Sequence, residues 1–274
     1  MGPIQLNHLA DNPWRRLLGR KVFLVPSSLL LTLFIWELAI QLGRFPAFIL
    51  PPPNLVWASF VQVLLDGTLL RHSLVTLEEV LVGLALGVAA ATGLGYLLAK
   101  SRAFERLLAP YVVASQSIPV VAIAPLLVIW FGTGLFSKVL ICALIVFFPV
   151  LVNTIVGVHS VPDELRDLMR SLQATRWQTF KLLDAPAAMP VFLGGLRIGA
   201  TLSVIGAVVG EFVGADRGLG FLINRARGQY DTALVFVAVF TLIVMALALY
   251  GSVILIETRL LSWRQRPDQP ILSQ

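Results

Sequence analysis

The stretch SVPDELRDLMRSLQATRWQTFKLLDAPAAMP, Ser160–Pro190, is polar and amphipathic, and it sits between long apolar runs. Ser160 and Asp163 stand three apart, close to a capping box, and Pro162 suits a first helical turn. Leu165, Leu168, Met169 and Leu172 then recur at i, i+3, i+4 and i+7, one apolar stripe on a helix. Glu164, Arg166, Asp167, Arg170 and Ser171 occupy the opposite face. A second short piece, Thr175–Leu183, repeats the theme with Trp177 and Phe180, and Pro186 and Pro190 are expected to end it. Such a segment must lie outside hydrocarbon. Two readings follow: a surface helix packed on its own domain, or a knob with apolar anchors and a charged rim for a partner's groove.

The chain around it is 57% hydrophobic and 13% charged, with mean hydropathy +0.85. A water-soluble domain carries about 25% charged residues, and a spanning helix needs roughly 20 mostly apolar ones. Six segments qualify: about 23–42, 74–99, 111–132, 136–158, 191–213 and 232–258. The fold class is therefore all-α integral membrane, with six transmembrane helices. The expected division is a cytoplasmic tail over 1–22, a membrane domain over 23–260 carrying the loop 160–190, and a cytoplasmic tail over 261–274. Residues 1–21 lack a signal-peptide pattern, so the first span is expected to stay as an anchor.

Charge placement gives the orientation. With the N-terminus in the cytoplasm, the inner segments hold Arg15, Arg16, Arg20, Lys21, Lys100, Arg102, Arg106, Arg166, Arg170, Arg176, Lys181, Arg259, Arg264 and Arg266. The outer ones hold Arg44, Arg71, Lys138, Arg217, Arg225 and Arg227. The positive-inside rule then puts both termini inside. Orientation accounts for the net charge of +6, and no nucleic-acid partner is needed.

The outer loop contains Pro51-Pro52-Pro53-Asn54, a rigid piece ending in an N-cap, before a short interfacial helix over 55–65. The second span carries Gly83, Gly87, Ala91 and Gly95, a small-residue stripe that suits close helix packing in lipid. Lys100–Pro110 reads as a short cytoplasmic turn. The third span is broken by Pro119 and Pro125, just after Gln116 and Ser117, and ends at Trp130. The fourth carries Pro149 and Asn153, and the fifth is Gly-rich. Irregular backbone in a membrane is tolerated where protein or a cavity satisfies it, so spans three to five are the expected path across the bilayer.

Ionisable residues inside spans are functional candidates, and here they are few. Glu37 suits a structural partner, Glu78 and Glu79 the outer interface, and Glu211 a hydrogen bond or ion pair with Arg217 or Arg225. The single cysteine, Cys142, reads as a buried hydrophobe and excludes an internal disulfide and a Cys-based metal site. A secondary transporter or channel would show internal repeats or an acidic relay, and an intramembrane enzyme would show His-Glu-x-x-His or Gly-x-Ser-x-Gly. The sequence has none of these.

The loop resembles the signature of binding-protein-dependent ABC importer permeases: Glu-Ala-Ala, three residues, Gly, nine residues, Ile, any residue, Leu-Pro. In register, Asp167-Leu168-Met169 takes the triplet, Gln173 the Gly, Leu183 the Ile, Ala185 the Leu and Pro186 the Pro; only the proline is identical. The surrounding motifs are closer. Ala174–Phe180, Pro186–Pro190, Gly195–Gly199, Ile118-Pro119, Trp130–Gly134, Phe147–Thr154, Gly210-Glu211-Phe212 and Gly218-Leu219-Gly220 are similar to the nitrate, sulfonate, taurine and vitamin-precursor branch. The resemblance covers roughly 70–260.

It implies the type I ABC importer permease fold in a bacterial plasma membrane. It also implies a second permease subunit (a homodimer in the simplest case), two cytoplasmic ATPases and an extracytoplasmic binding protein. No Gly-x-x-x-x-Gly-Lys-Ser/Thr loop is present, so ATP and Mg belong to the partner ATPase, and no cofactor is expected on this chain. The coupling residues implied are Glu164, Leu165, Asp167, Leu168, Met169, Leu172, Gln173, Ala174, Thr175, Arg176 and Trp177. Glycine at position 173 would permit a left-handed turn, which Gln adopts only at some cost. Val120–Leu126 resembles permeases for aromatic vitamin compounds, with riboflavin and the thiamine pyrimidine precursor leading and sulfonate, taurine or nitrate as the alternative. Gln116, Ser117, Trp130, Asn153 and Glu211 are the expected substrate-path residues, although the first four also suit plain helix packing.

Overall fold

The structure, a computed structural model, describes residues 13–262, all helix and connection with no strand among them. The tail expected over 261–274, and most of that over 1–22, lies outside the described residues. The elements are α1 (Pro13–Gly43), α2 (Pro53–Leu65), α3 (Thr68–Lys100), α4 (Arg102–Gln116), α5 (Val120–Phe131), α6 (Leu135–His159), α7 (Asp163–Ser171) and α8 (Arg176–Thr179). A π turn (Phe180–Asp184), α9 (Ala185–Gly214), α10 (Leu219–Gly228) and α11 (Thr232–Leu260) complete the chain.

Five helical segments are long and apolar enough to cross a membrane: α1, α3, α6, the run 176–214 and α11. The bent pair α4–α5 makes a sixth when taken as one span. The core is a layer of three, with α6 held between α3 and α9. The small-residue stripes make this possible. A Cβ at Gly83 would overlap that of Cys142 from one side, and one at Gly206 would come within 2.8 Å of the Cys142 Cα from the other. In lipid, where packing drives helix association, two such faces let α6 approach both neighbours. Cys142 is fully buried between them and its Sγ donates to Ser203 O at 3.4 Å, as a small hydrophobe should.

Several expectations need correction. Lys100–Pro110 is not a turn; α4 begins at Arg102, after the Ser101 hydroxyl caps Phe104 N, and runs through Pro110. The third span is not one kinked helix over 111–132. It breaks at Ser117–Pro119, and α4 and α5 meet at 91°. Pro119 becomes the N-cap of α5 with extended backbone, while Pro125 is accommodated within that helix. Pro186 and Pro190 do not end the second cytoplasmic piece. α8, the π turn and α9 form one continuous 39-residue helical run. Pro186 follows the π turn directly, and the wider i→i+5 turn eases the clash of its ring with the preceding carbonyls. The N-cap of α2 is Pro52, not Asn54, whose Oδ1 accepts from Leu55 N at 2.8 Å.

Candidate functional site

The α7–α8 hairpin is built by local chemistry. Asp163 and Glu164 lie in the first turn of α7 and Arg170 in its last, each at the end of the helix dipole that favours it. The expected cap by Ser160 is absent: its hydroxyl donates back to Gly157 O, and Pro162 takes the N-cap position. At the other end Gln173 has φ +52°, so the glutamine adopts the left-handed conformation that a glycine would take there at less cost. Gln173 N donates to Arg170 O at 2.9 Å and Ala174 N to Met169 O at 3.0 Å, the two bonds of a Schellman turn. Thr175 and Gln178 form a reciprocal capping box that restarts the chain as α8. Arg166 ties the hairpin to the bundle through Val158 O at 2.6 Å.

All eleven expected coupling residues fall in this hairpin, and none is buried. Leu168 is 53% exposed, Leu172 67% and Trp177 68%. Leu165 is also exposed, while Met169 and Ala174 are half-covered. The apolar stripe is therefore not packed on the chain's own bundle. Asp167 and Arg170 pair with each other along the rim at 2.9 Å. An apolar stripe outside the membrane, left uncovered and ringed by charge, marks an interaction surface.

The expected path residues separate into two groups. Gln116 and Asn153 line one cavity of 500 Å³ at the α4–α5 break, together with Ser115, Pro119, Phe148 and Pro149. Ser117 sits at the break itself, its hydroxyl directed to Val113 O at 3.4 Å. Asn153 donates to Pro149 O at 2.8 Å. Trp130, at the far end of α5, is exposed and does not line this cavity.

Glu211 belongs elsewhere. It is 1% exposed and its partners are not Arg217 or Arg225. It accepts from the Thr76 hydroxyl at 2.7 Å, from Gly220 N and from Phe221 N at 3.3 Å. Leu219 N donates to Thr76 Oγ1 at 2.8 Å and Gly218 N to His72 Nδ1 at 3.0 Å. Four consecutive amides at the start of α10 are thus satisfied by the core, which answers the orphan donors of a helix N-terminus. Gly218 has φ +111°, and a Cβ there would overlap the Glu211 carboxylate. Beside this hub, Glu79 is buried against Lys138 Nζ at 3.1 Å. Both side chains are buried within the bundle, so this ion pair is internal rather than water-facing. Glu37 is met by Gln41 Nε2, one turn along α1, at 3.2 Å.

Sequence reading missed the Thr76 and His72 contributions and the Asp184–Lys100 pair, 2.7 Å apart. The signal for Asp184 was an acidic residue just before the Pro186 that opens a span.

The molecule is a helical membrane domain with one broken span and an uncovered amphipathic hairpin. Residues 83–262 match the family described as binding-protein-dependent transport system inner membrane component, and the chain belongs to that family. It is 49% identical over 239 residues to the riboflavin transport system permease protein RibX of Chloroflexus aurantiacus, covering 87% of this chain and 89% of that one. It is 36% identical over 237 residues to the formylaminopyrimidine transport permease protein ThiX of Halalkalibacterium halodurans, covering 86% and 94%. Its fold matches the inward-facing MetNI methionine ABC transporter with TM-score 0.64 at 19% identity, over 72% of this chain and 97% of that one. The protein is thus an ABC importer permease of the type I fold, a transport subunit rather than an enzyme.

Proposed function

We propose that this chain is the permease half-channel of a riboflavin importer, working as a homodimer with two ATPase subunits and an extracytoplasmic binding protein. The observation that carries the coupling role is the uncovered stripe of Leu165, Leu168, Leu172 and Trp177 on the α7–α8 hairpin. These side chains are the anchors seated in an ATPase groove, and Asp167, Arg170 and Arg176 set the register. ATP and Mg are held by that partner. Closure of the ATPase pair draws the two hairpins together, and because α8 runs on into α9, the motion passes directly into the bundle. The bundle then rocks between inward-open and outward-open states. Both termini lie in the cytoplasm, as the charge distribution favours.

The second copy is argued from the break. Gln116 and Ser117 are exposed at a 91° bend. Non-helical backbone inside hydrocarbon persists only where protein covers it or water fills a cavity. A second permease across this face supplies the cover, and the cavity holding Gln116 and Asn153 becomes part of the path between them. The cargo reading rests on the 49% identity to RibX over most of both chains. The ThiX relationship keeps a pyrimidine precursor as the alternative cargo.

The test is growth rescue. The permease, its ATPase and its binding protein are expressed in a riboflavin auxotroph lacking other uptake, at limiting riboflavin. Growth that disappears when the ATPase is inactivated is the expected result. No growth with all three proteins in place rejects riboflavin, and the same assay is then run with the thiamine pyrimidine and with taurine.

A further inference from the structure

Asp184 is fully buried, and no role described so far uses it. It closes the π turn Phe180–Asp184, the one irregular point in the helical run 176–214. Inserted π turns occur often at functional sites. Its Oδ2 meets Lys100 Nζ at 2.7 Å and the Tyr96 hydroxyl at 3.3 Å, both from the last two turns of α3. Lys100 Nζ also lies 5.5 Å from the centre of the Tyr96 ring. The Tyr96 ring meets Phe180 edge-on at 5.0 Å, and Phe180 stacks on Trp177 of the coupling hairpin at 5.5 Å. A continuous line of contacts therefore runs Trp177, Phe180, Tyr96, Asp184, Lys100.

An ion pair on a fully buried carboxylate is a poor way to add stability, because desolvation of Asp184 offsets the attraction to Lys100, whose side chain is 37% exposed, and the best-attested use of such a pair is to fix one arrangement among several. Here the pair spans the seam between the coupling run and α3. A cavity of 180 Å³ lined by Thr92, Tyr96, Phe180, Asp184, Met189 and Phe192 adjoins the turn and leaves it room to shift. We infer that Asp184 is a positioning residue for coupling: through Tyr96 and Lys100 it holds the π turn on α3, so that displacement of the α7–α8 hairpin is passed to α3 as well as to α9. Without it the hairpin moves α9 and, through Arg166 and Val158 O, the end of α6, but no longer α3, and ATP hydrolysis separates from solute movement. This rests on the docking role proposed for the hairpin.

The test uses the complete complex of permease, ATPase and binding protein in proteoliposomes, with Asp184→Asn and Tyr96→Phe as variants. Three quantities are read: riboflavin moved per ATP hydrolysed, stimulation of ATP hydrolysis by the binding protein, and thermal midpoint. Asp184→Asn is expected to lower riboflavin per ATP about tenfold, the size of one charge-assisted hydrogen bond, and to abolish stimulation. Tyr96→Phe keeps the ring contacts and lowers both by a smaller factor. Wild-type riboflavin per ATP and wild-type stimulation in both variants overturn the inference, whatever happens to the midpoint, since a structural role moves the midpoint alone. If Asp184→Asn does not assemble, Tyr96→Phe decides. If the wild type moves no riboflavin, the cargo reading fails, and stimulation by the binding protein still decides the role of Asp184.

Discussion

The Glu211 hub and the α7–α8 hairpin break the usual rule of burial in opposite directions. At the hub a carboxylate, two side chains from α3 and four backbone amides are buried, and the amides all have partners. At the hairpin four large apolar side chains are left uncovered. Buried polar groups that are fully satisfied rigidify a structure, whereas exposed apolar groups await a partner. One region is finished within the chain, and the other is completed, on the role proposed for it, by a partner. Mutations in the first should act on stability, and mutations in the second on association.

The largest expected effect is Glu211→Ala. It strips the Thr76 hydroxyl and the Gly220 and Phe221 amides of their acceptor inside the bundle, at a cost of about 3–5 kcal/mol. Thermal denaturation in detergent should show a large fall in midpoint. A fall of a degree or two would mean that the hub is not what holds α10.

Leu172→Asp should do the reverse. The side chain is 67% exposed, so stability should change by no more than about 0.5 kcal/mol. Loss of an apolar anchor from a groove costs about 2–4 kcal/mol of association. Co-purification of the ATPase and uptake should both fail while the thermal midpoint of the isolated permease holds. Normal uptake in this variant would sink the docking role.

Two smaller changes sharpen the view of the hairpin as a preformed element. Gln173→Gly relieves the left-handed residue at φ +52° and should stabilise the turn by about 1 kcal/mol. Thr175→Ala removes half of the capping box and should cost about 1 kcal/mol. Hydrogen exchange across 163–180 reads both, as slower exchange in the first and faster in the second. No change in either would mean that the partner, not the local caps, shapes the hairpin.

The legible part of this protein is what depends on local pattern. Long apolar runs imposed membrane spans, because hydrocarbon rejects charge wherever the chain goes. The heptad-like stripe at Leu165, Leu168 and Leu172 identified a helix in water, because its period comes from helix geometry alone. The left-handed turn at Gln173 was suggested only by the glycine that the family signature places there, and the structure keeps that turn with a glutamine. Other features were not local. Pro186 looked like a terminator, yet the π turn before it lets the helix run on, since the wider turn eases the clash of the proline ring with the preceding carbonyls. The glycine stripe of the second span suggested close packing and the glycines of the fifth an irregular backbone, but only the fold put Gly83 and Gly206 on opposite sides of Cys142. Glu211 and Glu79 looked like neighbours of arginines and of water. The bundle instead brings Thr76, the start of α10 and Lys138 to them across separations of more than fifty residues in most cases. A charge inside a span announces that it needs a partner; which partner it gets is decided by which helices pack together. The sequence by itself determined the spans and the amphipathic hairpin. Only the tertiary structure decided where the buried charges close and where the apolar surface stays open, because those depend on contacts between segments that no local pattern encodes.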